Sequence, residues 1–271
     1  MYFLIVVKSN FEMQYKNYFH SKFIYLSLLV WPIISFANSY YSYFPFIKDS
    51  SLKKLGLNNT NDLLVFMFIG FMAMIFFGNL VQACWQFSYL MRASATLELL
   101  YMSPANRFAV LLGNALGSLF GSVWSLVVLS IVLLITYSDH LKFNFLSFAF
   151  SIGLLFVVAI AWGIFLNSLF LITRDNGFLY TILESPMEIF SGVKLPFNLM
   201  PMWAQLVGYL FPLTYIISVM RLSIIYNALP SDLMGRWLIC LAISIILVIG
   251  SHLFIRLGEK HVKKNGSAAF L

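Results

Sequence analysis

Six apolar stretches are the feature that most constrains the fold of this 271-residue chain. A helix needs about 20 apolar residues to cross the hydrocarbon core of a bilayer. The six stretches cover residues 23–44, 63–88, 116–137, 145–172, 177–193 and 237–257. Charged residues make up only 10% of the chain, against about 25% in a soluble domain. The sequence therefore predicts an all-α polytopic membrane protein with six transmembrane helices, in one membrane domain over residues 23–257.

The distribution of basic residues predicts which ends of these helices face the cytoplasm. With the N-terminus inside, ten of the 17 Lys and Arg residues fall in inner segments and seven in outer ones. Residues 258–271 form a compact basic tail. Because cytoplasmic segments are enriched in Lys and Arg, both termini are expected in the cytoplasm. The membrane would be the plasma membrane, or the inner membrane of a Gram-negative bacterium.

Residues 1–22 precede the first apolar stretch and interleave lysines with aromatic residues. This composition is typical of an amphipathic segment that lies on the cytoplasmic face of a membrane. A flexible tail is the alternative.

The region between the fifth and sixth stretches allows two interpretations. Residues 206–226 are largely apolar, and counting them as a crossing would place the basic tail outside. Pro212 interrupts this run, and Arg221 lies in its second half. We therefore favour a non-spanning arrangement over residues 194–230, with short helices packed in the outer leaflet. Irregular backbone at that depth must be covered by protein or face water.

A short polar island, residues 92–107, separates the second and third stretches. Thr96 is a plausible N-cap, and Glu98 then falls in the first turn, where an acidic side chain complements the helix dipole. Ser103 and Pro104 indicate a second helix start, because proline is favoured at the first helical position. The island predicts a short helix across the inner membrane face, tethered at both ends to spans. Such a helix could be displaced by a soluble partner and pass the movement to two transmembrane helices. An ordinary inner loop is the alternative, because it has the same sequence pattern.

Two groups of residues within the apolar stretches stand out. Glu184 and Glu188 share a helix face, and Lys194 follows close enough to pair with Glu188. Because ionised groups in a membrane are costly, these residues either line a substrate path or form a local ion pair. Gly113, Gly117 and Gly121 form overlapping G-x-x-x-G units. They predict a smooth helix face that packs within the subunit or against a second subunit.

Several classes of function lack their sequence signatures. No G-x-x-x-x-G-K-[ST] loop is present, so ATP hydrolysis, if it drives this protein, would occur on another chain. No Gly-x-Ser-x-Gly hydrolase motif is found. The four histidines are too scattered for a metal site. No Lys/Arg tract of the kind that binds nucleic acid is present. An ATP-independent secondary transporter would show internal repeats, and none is evident. A membrane-embedded enzyme or accessory protein is the remaining alternative.

Two stretches resemble the ATP-binding-cassette (ABC) type 2 permeases. The sequence TLELLYMSP with Arg107 is similar to the family's inner loop, which usually reads Gly-Thr-Leu-Glu, then a Ser- or Thr-Pro pair and an Arg. The stretch from Ser191 to Arg221 resembles the late family signature. Its matching residues are Ser191, Gly192, Val193, Pro196, Pro201, Trp203, Pro212, Leu213, Thr214, Tyr215 and Arg221. Ala95 replaces the usual glycine, and no acid precedes Arg221 closely.

The resemblance implies the permease subunit of an ATP-driven exporter of an amphipathic or lipid-linked substrate, such as a drug, lipid, peptide or glycan. The inner loop would be a coupling helix that docks on a cytoplasmic ABC ATPase, and residues 194–230 would form an outer re-entrant hairpin. Two permease chains, identical or related, would pair, and ATP and Mg would bind only to the ATPase. The coupling residues would be Thr96, Leu97, Glu98, Leu99, Leu100, Ser103, Pro104 and Arg107. The residues of a substrate path or outer gate would be Glu184, Glu188, Lys194 and Arg221.

Overall fold

A computed structural model describes residues 2–18, 22–43, 60–94, 96–137, 144–173 and 175–265. In these ranges every regular element is helical. The helices are α1 (Tyr2–Tyr18), α2 (Lys22–Tyr43), α3 (Thr60–Ala93), α4 (Thr96–Met102), α5 (Arg107–Tyr137), α6 (Phe145–Ile172), α7 (Asn176–Phe190), α8 (Met202–Gly208), α9 (Pro212–Ile224) and α10 (Pro230–Asn265). A single 3-10 turn, Phe197–Leu199, lies between α7 and α8.

Four of the described helices are long and apolar enough to cross a membrane. They are α3, α5, α6 and α10, which contain four of the six predicted stretches. The helices α8 and α9 pass the same test only as a pair, which would raise the number to five, but they meet at an angle of 98°. The chain is therefore an all-helical protein with four or five candidate spans.

The first and fifth predicted stretches form shorter apolar helices. In α2, the apolar segment within the described residues is Phe23–Asn38. The helix α7 has 15 residues and so is roughly 22 Å long at about 1.5 Å per residue. That is less than the hydrocarbon core of about 30 Å. The six-span count therefore remains a prediction.

The core of the bundle forms around α3. This helix is apolar on all sides, and 78% of its most apolar segment is buried, against 22% in α10. A helix that is apolar all round belongs in the interior of a bundle or in a membrane. Phe76, Phe77 and Leu80 of α3 are fully enclosed by α5, α6 and their neighbours. The apolar surface of α10 instead faces outward, as expected of a helix that contacts lipid.

The long helices α3, α6 and α10 run in one direction and α5 runs in the other, so the bundle has two distinct ends. At one end, which we call the α4 end, Arg92 of α3 donates a hydrogen bond from Nη2 to the carbonyl oxygen of Phe170 in α6 (3.0 Å). At the other, the hairpin end, the Ser147 hydroxyl of α6 donates to the carbonyl oxygen of Ala228, just before α10 (2.8 Å). The short helices α4 and α8–α9 therefore lie at opposite ends.

The N-terminal residues form a helix that packs closely along α5. A Cβ atom at Gly113 would lie 2.6 Å from the carbonyl oxygen of Val7, and one at Gly117 would lie 2.8 Å from Cβ of Gln14. The side chain of Gln14 is buried in this contact. The helix α1 also exposes large apolar side chains such as Leu4 and Ile5. Whether α1 rests on a membrane surface stays a prediction.

Candidate functional site

The helix α4 occupies most of the polar island that the sequence singled out. It is seven residues long and lies between two long helices, α3 and α5. The predicted range of 92–107 was too wide, because Arg92 still belongs to α3 and Arg107 already begins α5. A helix this short has little stability of its own, so contacts with its neighbours must hold it in place.

One side of α4 is anchored to the bundle. Leu100 packs against a cluster that includes Phe87 of α3, Val110 and Leu111 of α5, and Ile255 of α10. Ile164 of α6 also belongs to this cluster, so Leu100 packs against a cluster shared by four long helices.

The other side of α4 presents an apolar surface to the exterior. Leu99 is 65% exposed and Met102 is 83% exposed. They are three residues apart and so lie on the same helix face. An exposed apolar patch marks a contact with another protein or with a membrane. We call this pair the α4 surface.

The start of α4 differs in detail from the prediction. Thr96 is the first helical residue, and its hydroxyl donates to the carbonyl oxygen of Met91 in α3 (3.2 Å) and contacts the hydroxyl of Ser94 (2.9 Å). The Thr96 side chain thus ties α4 back to α3. Leu97 and Glu98 are helical, but their side chains lie outside the described part of the structure.

The second predicted helix start was misplaced by three residues. Pro104 is an exposed linker residue, and α5 begins at Arg107. Asn106 takes the capping role, since its Oδ1 accepts a hydrogen bond from the backbone N–H of Ala109 (3.3 Å). The Ser103 hydroxyl shapes the turn before it by donating to the carbonyl oxygen of Leu100 (3.1 Å) and accepting from the N–H of Ala105 (3.4 Å). Pro104 and Asn106 together interrupt the helix between α4 and α5.

The ionisable residues of the fifth stretch lie on α7 and just beyond it. Lys194 and Glu188 form an ion pair with Nζ and Oε1 2.6 Å apart, and both side chains are partly buried. Glu184 lies one turn earlier on α7, close to Tyr180 and Glu188. The structure therefore contains the local ion pair that was one of the two interpretations, and it places Glu184 outside that pair.

Arg221 is separate from these acids and lies inside the protein, with only 6% of its surface exposed. Its guanidinium donates from Nε to the carbonyl oxygen of Phe66 (3.1 Å), from Nη1 to that of Gly192 (2.8 Å) and from Nη2 to that of Val193 (3.1 Å). Its Cζ also lies 3.6 Å from the centre of the Phe66 ring. Arg221 of α9 thus binds both α3 and the turn after α7.

Two glycines make this arrangement possible. Gly192 has a φ of +77°, a conformation that other residues adopt only at a cost. Gly70 of α3 lies directly against the guanidinium, because a Cβ there would overlap Nη2 of Arg221 and lie 2.7 Å from the carbonyl oxygen of Val193. Gly70 was missed by the sequence analysis. The only available signal was a lone glycine in a long apolar run, and that pattern has no specific meaning.

The three glycines of α5 face helices of the same chain. Gly113 and Gly117 lie against α1, as described above. Gly121 lines a small cavity together with Ile24 and Leu28 of α2. These contacts agree with the within-subunit interpretation of the glycine pattern.

The fold and these two regions define a membrane-embedded helical protein with a short exposed helix at one end and a bent helix pair at the other. Comparison with known families assigns it further. The family model described as "ABC-2 type transporter" matches residues 3–225, which includes α4, α7, the Ser191–Val193 turn and α9. The chain belongs to this family and is a multi-pass permease component, with no ATPase motif. No curated protein matches the chain.

Proposed function

We infer that this chain is the permease subunit of an ATP-driven exporter and that its α4 surface docks on a separate cytoplasmic ABC ATPase. The observation that carries this proposal is the exposure of Leu99 and Met102 on a helix whose opposite side, at Leu100, is packed into the bundle. Family membership supports it, since ABC-2 permease domains typically pair with such an ATPase.

The packing around α4 suggests how a movement of the ATPase reaches the spans. The ATPase pair closes on binding nucleotide and displaces α4 through Leu99 and Met102. Leu100 transmits the displacement to Phe87, Val110 and Ile255, which belong to three different long helices. The hydrogen bond from Arg92 to Phe170 links the same end of the bundle to α6. Two sites coupled in this way must influence each other reciprocally.

In this proposal the chain crosses the membrane six times. The four candidate spans are joined by α2 and α7, and α8–α9 form a hairpin that enters and leaves from the same side. The 98° angle between α8 and α9 supports a hairpin. The position of Val193 also supports a hairpin. Val193 lies against Gly70, and Gly70 is ten residues after the start of α3 at Thr60, which is about 15 Å along the helix.

The exported substrate would be amphipathic or lipid-linked. The outward faces of α2, α5 and α10 are apolar and suit access from the bilayer. Two copies of the chain, or this chain and a relative, would enclose the path, with both termini in the cytoplasm. ATP and Mg would be bound by the ATPase alone.

Loss of the α4 surface tests the docking proposal. We expect the double variant Leu99→Asp, Met102→Asp to insert normally into the membrane. Its affinity for the ATPase should fall by a factor of about 30 or more, because a lost hot-spot contact costs about 2 kcal/mol or more. ATPase stimulation by substrate should fall with it. The matched control is Leu229→Asp, which alters a similarly exposed leucine at the hairpin end. If the double variant retains full affinity and stimulation, α4 is not the docking helix.

Labelling of single cysteines tests the topology. Ser94 and Ser231 are exposed at the α4 end and the hairpin end, and Asn198 lies between α7 and α8. In a background without Cys84 and Cys240, a membrane-impermeant maleimide should label Ser94→Cys from one side and Ser231→Cys and Asn198→Cys from the other. Labelling of Ser94→Cys and Ser231→Cys from the same side would contradict six crossings. Labelling of Asn198→Cys from the Ser94 side would exclude α7 as a span.

A further inference from the structure

A cavity of about 420 Å³ lies at the hairpin end, between α9, the start of α10 and the turn after α7. We call it the hairpin cavity. Its floor is formed by buried residues, among them Thr214 and Arg221, and its rim by exposed ones, among them Asn198, Tyr209 and Arg236. A cavity with a buried floor and an accessible rim has the form of a small-molecule site.

The charge on the wall of the hairpin cavity is entirely positive. Arg221 and Arg236 both line it, and no aspartate or glutamate does. The nearby acids lie outside the lining: Asp232 is one turn before Arg236 in α10, and Asp62 is close to Tyr226. Within the described residues neither arginine forms an ion pair. Two cations on one partly buried wall repel each other and attract an anion.

On the buried floor of the hairpin cavity, the hydrogen-bond donors that remain available belong to Arg221. The hydroxyls of Thr214, Tyr215 and Ser218 already donate to backbone carbonyl oxygens. Arg221 uses one N–H on each of its three nitrogens for Phe66, Gly192 and Val193. An arginine has five N–H donors, so two of them are left over. Arg236 is exposed and lines the rim of the cavity, so its guanidinium is accessible to a ligand there.

We propose that the hairpin cavity binds a phosphate group, presented either by a lipid headgroup or by a soluble phosphate. Paired guanidinium groups recognise phosphate oxygens through charge-assisted hydrogen bonds. Arg221 provides a fixed charge at the floor, and Arg236 closes on the anion from the rim. Tyr209, Tyr215 and Tyr226 leave room beside the phosphate for an attached organic group. This proposal does not depend on the docking of an ATPase, because the site lies at the opposite end of the bundle.

Arg236 is the residue to vary, because Arg221 also holds the hairpin together. Two binding measurements on the purified full-length chain, without nucleotide or partner, separate the two sources of phosphate. The first uses radiolabelled inorganic phosphate and the chain in uncharged detergent. The second compares the chain in phosphatidylcholine vesicles with and without phosphatidic acid, and detects bound phosphatidic acid by native mass spectrometry.

We expect the Arg236→Gln variant to bind whichever probe the wild type binds, inorganic phosphate or phosphatidic acid, about ten-fold more weakly. This is the loss of affinity expected for one charge-assisted hydrogen bond. The Arg236→Lys variant should lose less affinity, because it keeps the positive charge. Arg256→Gln alters an exposed arginine at the far end of α10 and should bind like the wild type. Binding in the vesicle measurement alone identifies a lipid headgroup, and binding of inorganic phosphate identifies a soluble source. The proposal is overturned if neither probe binds, or if Arg236→Gln and Arg256→Gln bind equally well.

Discussion

Nη1 of Arg221 donates a hydrogen bond to the carbonyl oxygen of Gly192 at 2.8 Å, across 29 residues of sequence. This contact joins the Ser191–Val193 turn to an arginine of α9, so two distant parts of the stretch that resembles the late family signature meet in the fold. The turn exposes two successive carbonyl oxygens, Gly192 and Val193, toward one guanidinium. A third acceptor, from Phe66 of α3, fixes the hairpin to the centre of the bundle.

Removal of the Arg221 guanidinium should loosen the hairpin. We expect Arg221→Gln to lower the free energy of unfolding by about 2–5 kcal/mol, because it would lose one or two of three hydrogen bonds from a charged donor that contribute about 1.5–3 kcal/mol each. Arg221→Lys should recover only part of this, since an ammonium group cannot hold three acceptors with the geometry of a planar guanidinium. Thermal unfolding in detergent measures the effect, with Arg256→Lys as the control. Equal stability of Arg221→Gln and the wild type would show that the three hydrogen bonds do not hold the hairpin.

A methyl group at Gly70 should disturb the same contact from the side of α3. We expect Gly70→Ala to lower the free energy of unfolding by about 1–3 kcal/mol, the usual cost of overpacking. Gly78 is an ideal control in the same helix, because a Cβ there would meet nothing within 4 Å. Gly78→Ala should be neutral or stabilise by up to about 1 kcal/mol, as alanine favours a helix. Equal stability of the two alanine variants would show that the close contact of Gly70 with Arg221 and Val193 does not need a glycine.

The contact between α1 and α5 should depend on the absence of side chains at Gly113 and Gly117. We expect Gly113→Leu to displace α1, because the added atoms would overlap the backbone of Val7. Trypsin should then cleave after Lys8 and Lys16 about ten-fold faster, in line with the lost burial of α1. Gly153→Leu provides the control, since the space around Gly153 in α6 is open. Unchanged cleavage in Gly113→Leu would show that α1 is not held by the glycine face.

The positions of the long helices could be predicted from the sequence, because a run of about 20 apolar residues has few alternatives to a spanning helix. The presence of a short helix within residues 92–107 and the pair Glu188–Lys194 were also within reach of local patterns. Helix starts were less accurate: Pro104 fits the first position of a helix, but Asn106 provides the cap that α5 uses. Gly70 could not be found at all, because its role depends on Val193 and Arg221, which lie more than 100 positions away in the sequence.

The most direct test of the proposed function is a photo-crosslink from the α4 surface. A photoreactive benzoyl-phenylalanine in place of Met102, which is 83% exposed, should form an adduct with a soluble chain that carries a phosphate-binding loop. The same residue in place of Leu229, at the hairpin end, should form none. Irradiation of membranes from the native source, followed by mass spectrometry of the adducts, gives the answer. An adduct at Met102 with a nucleotide-binding chain supports the account; its absence, or equal adducts at both positions, would contradict it.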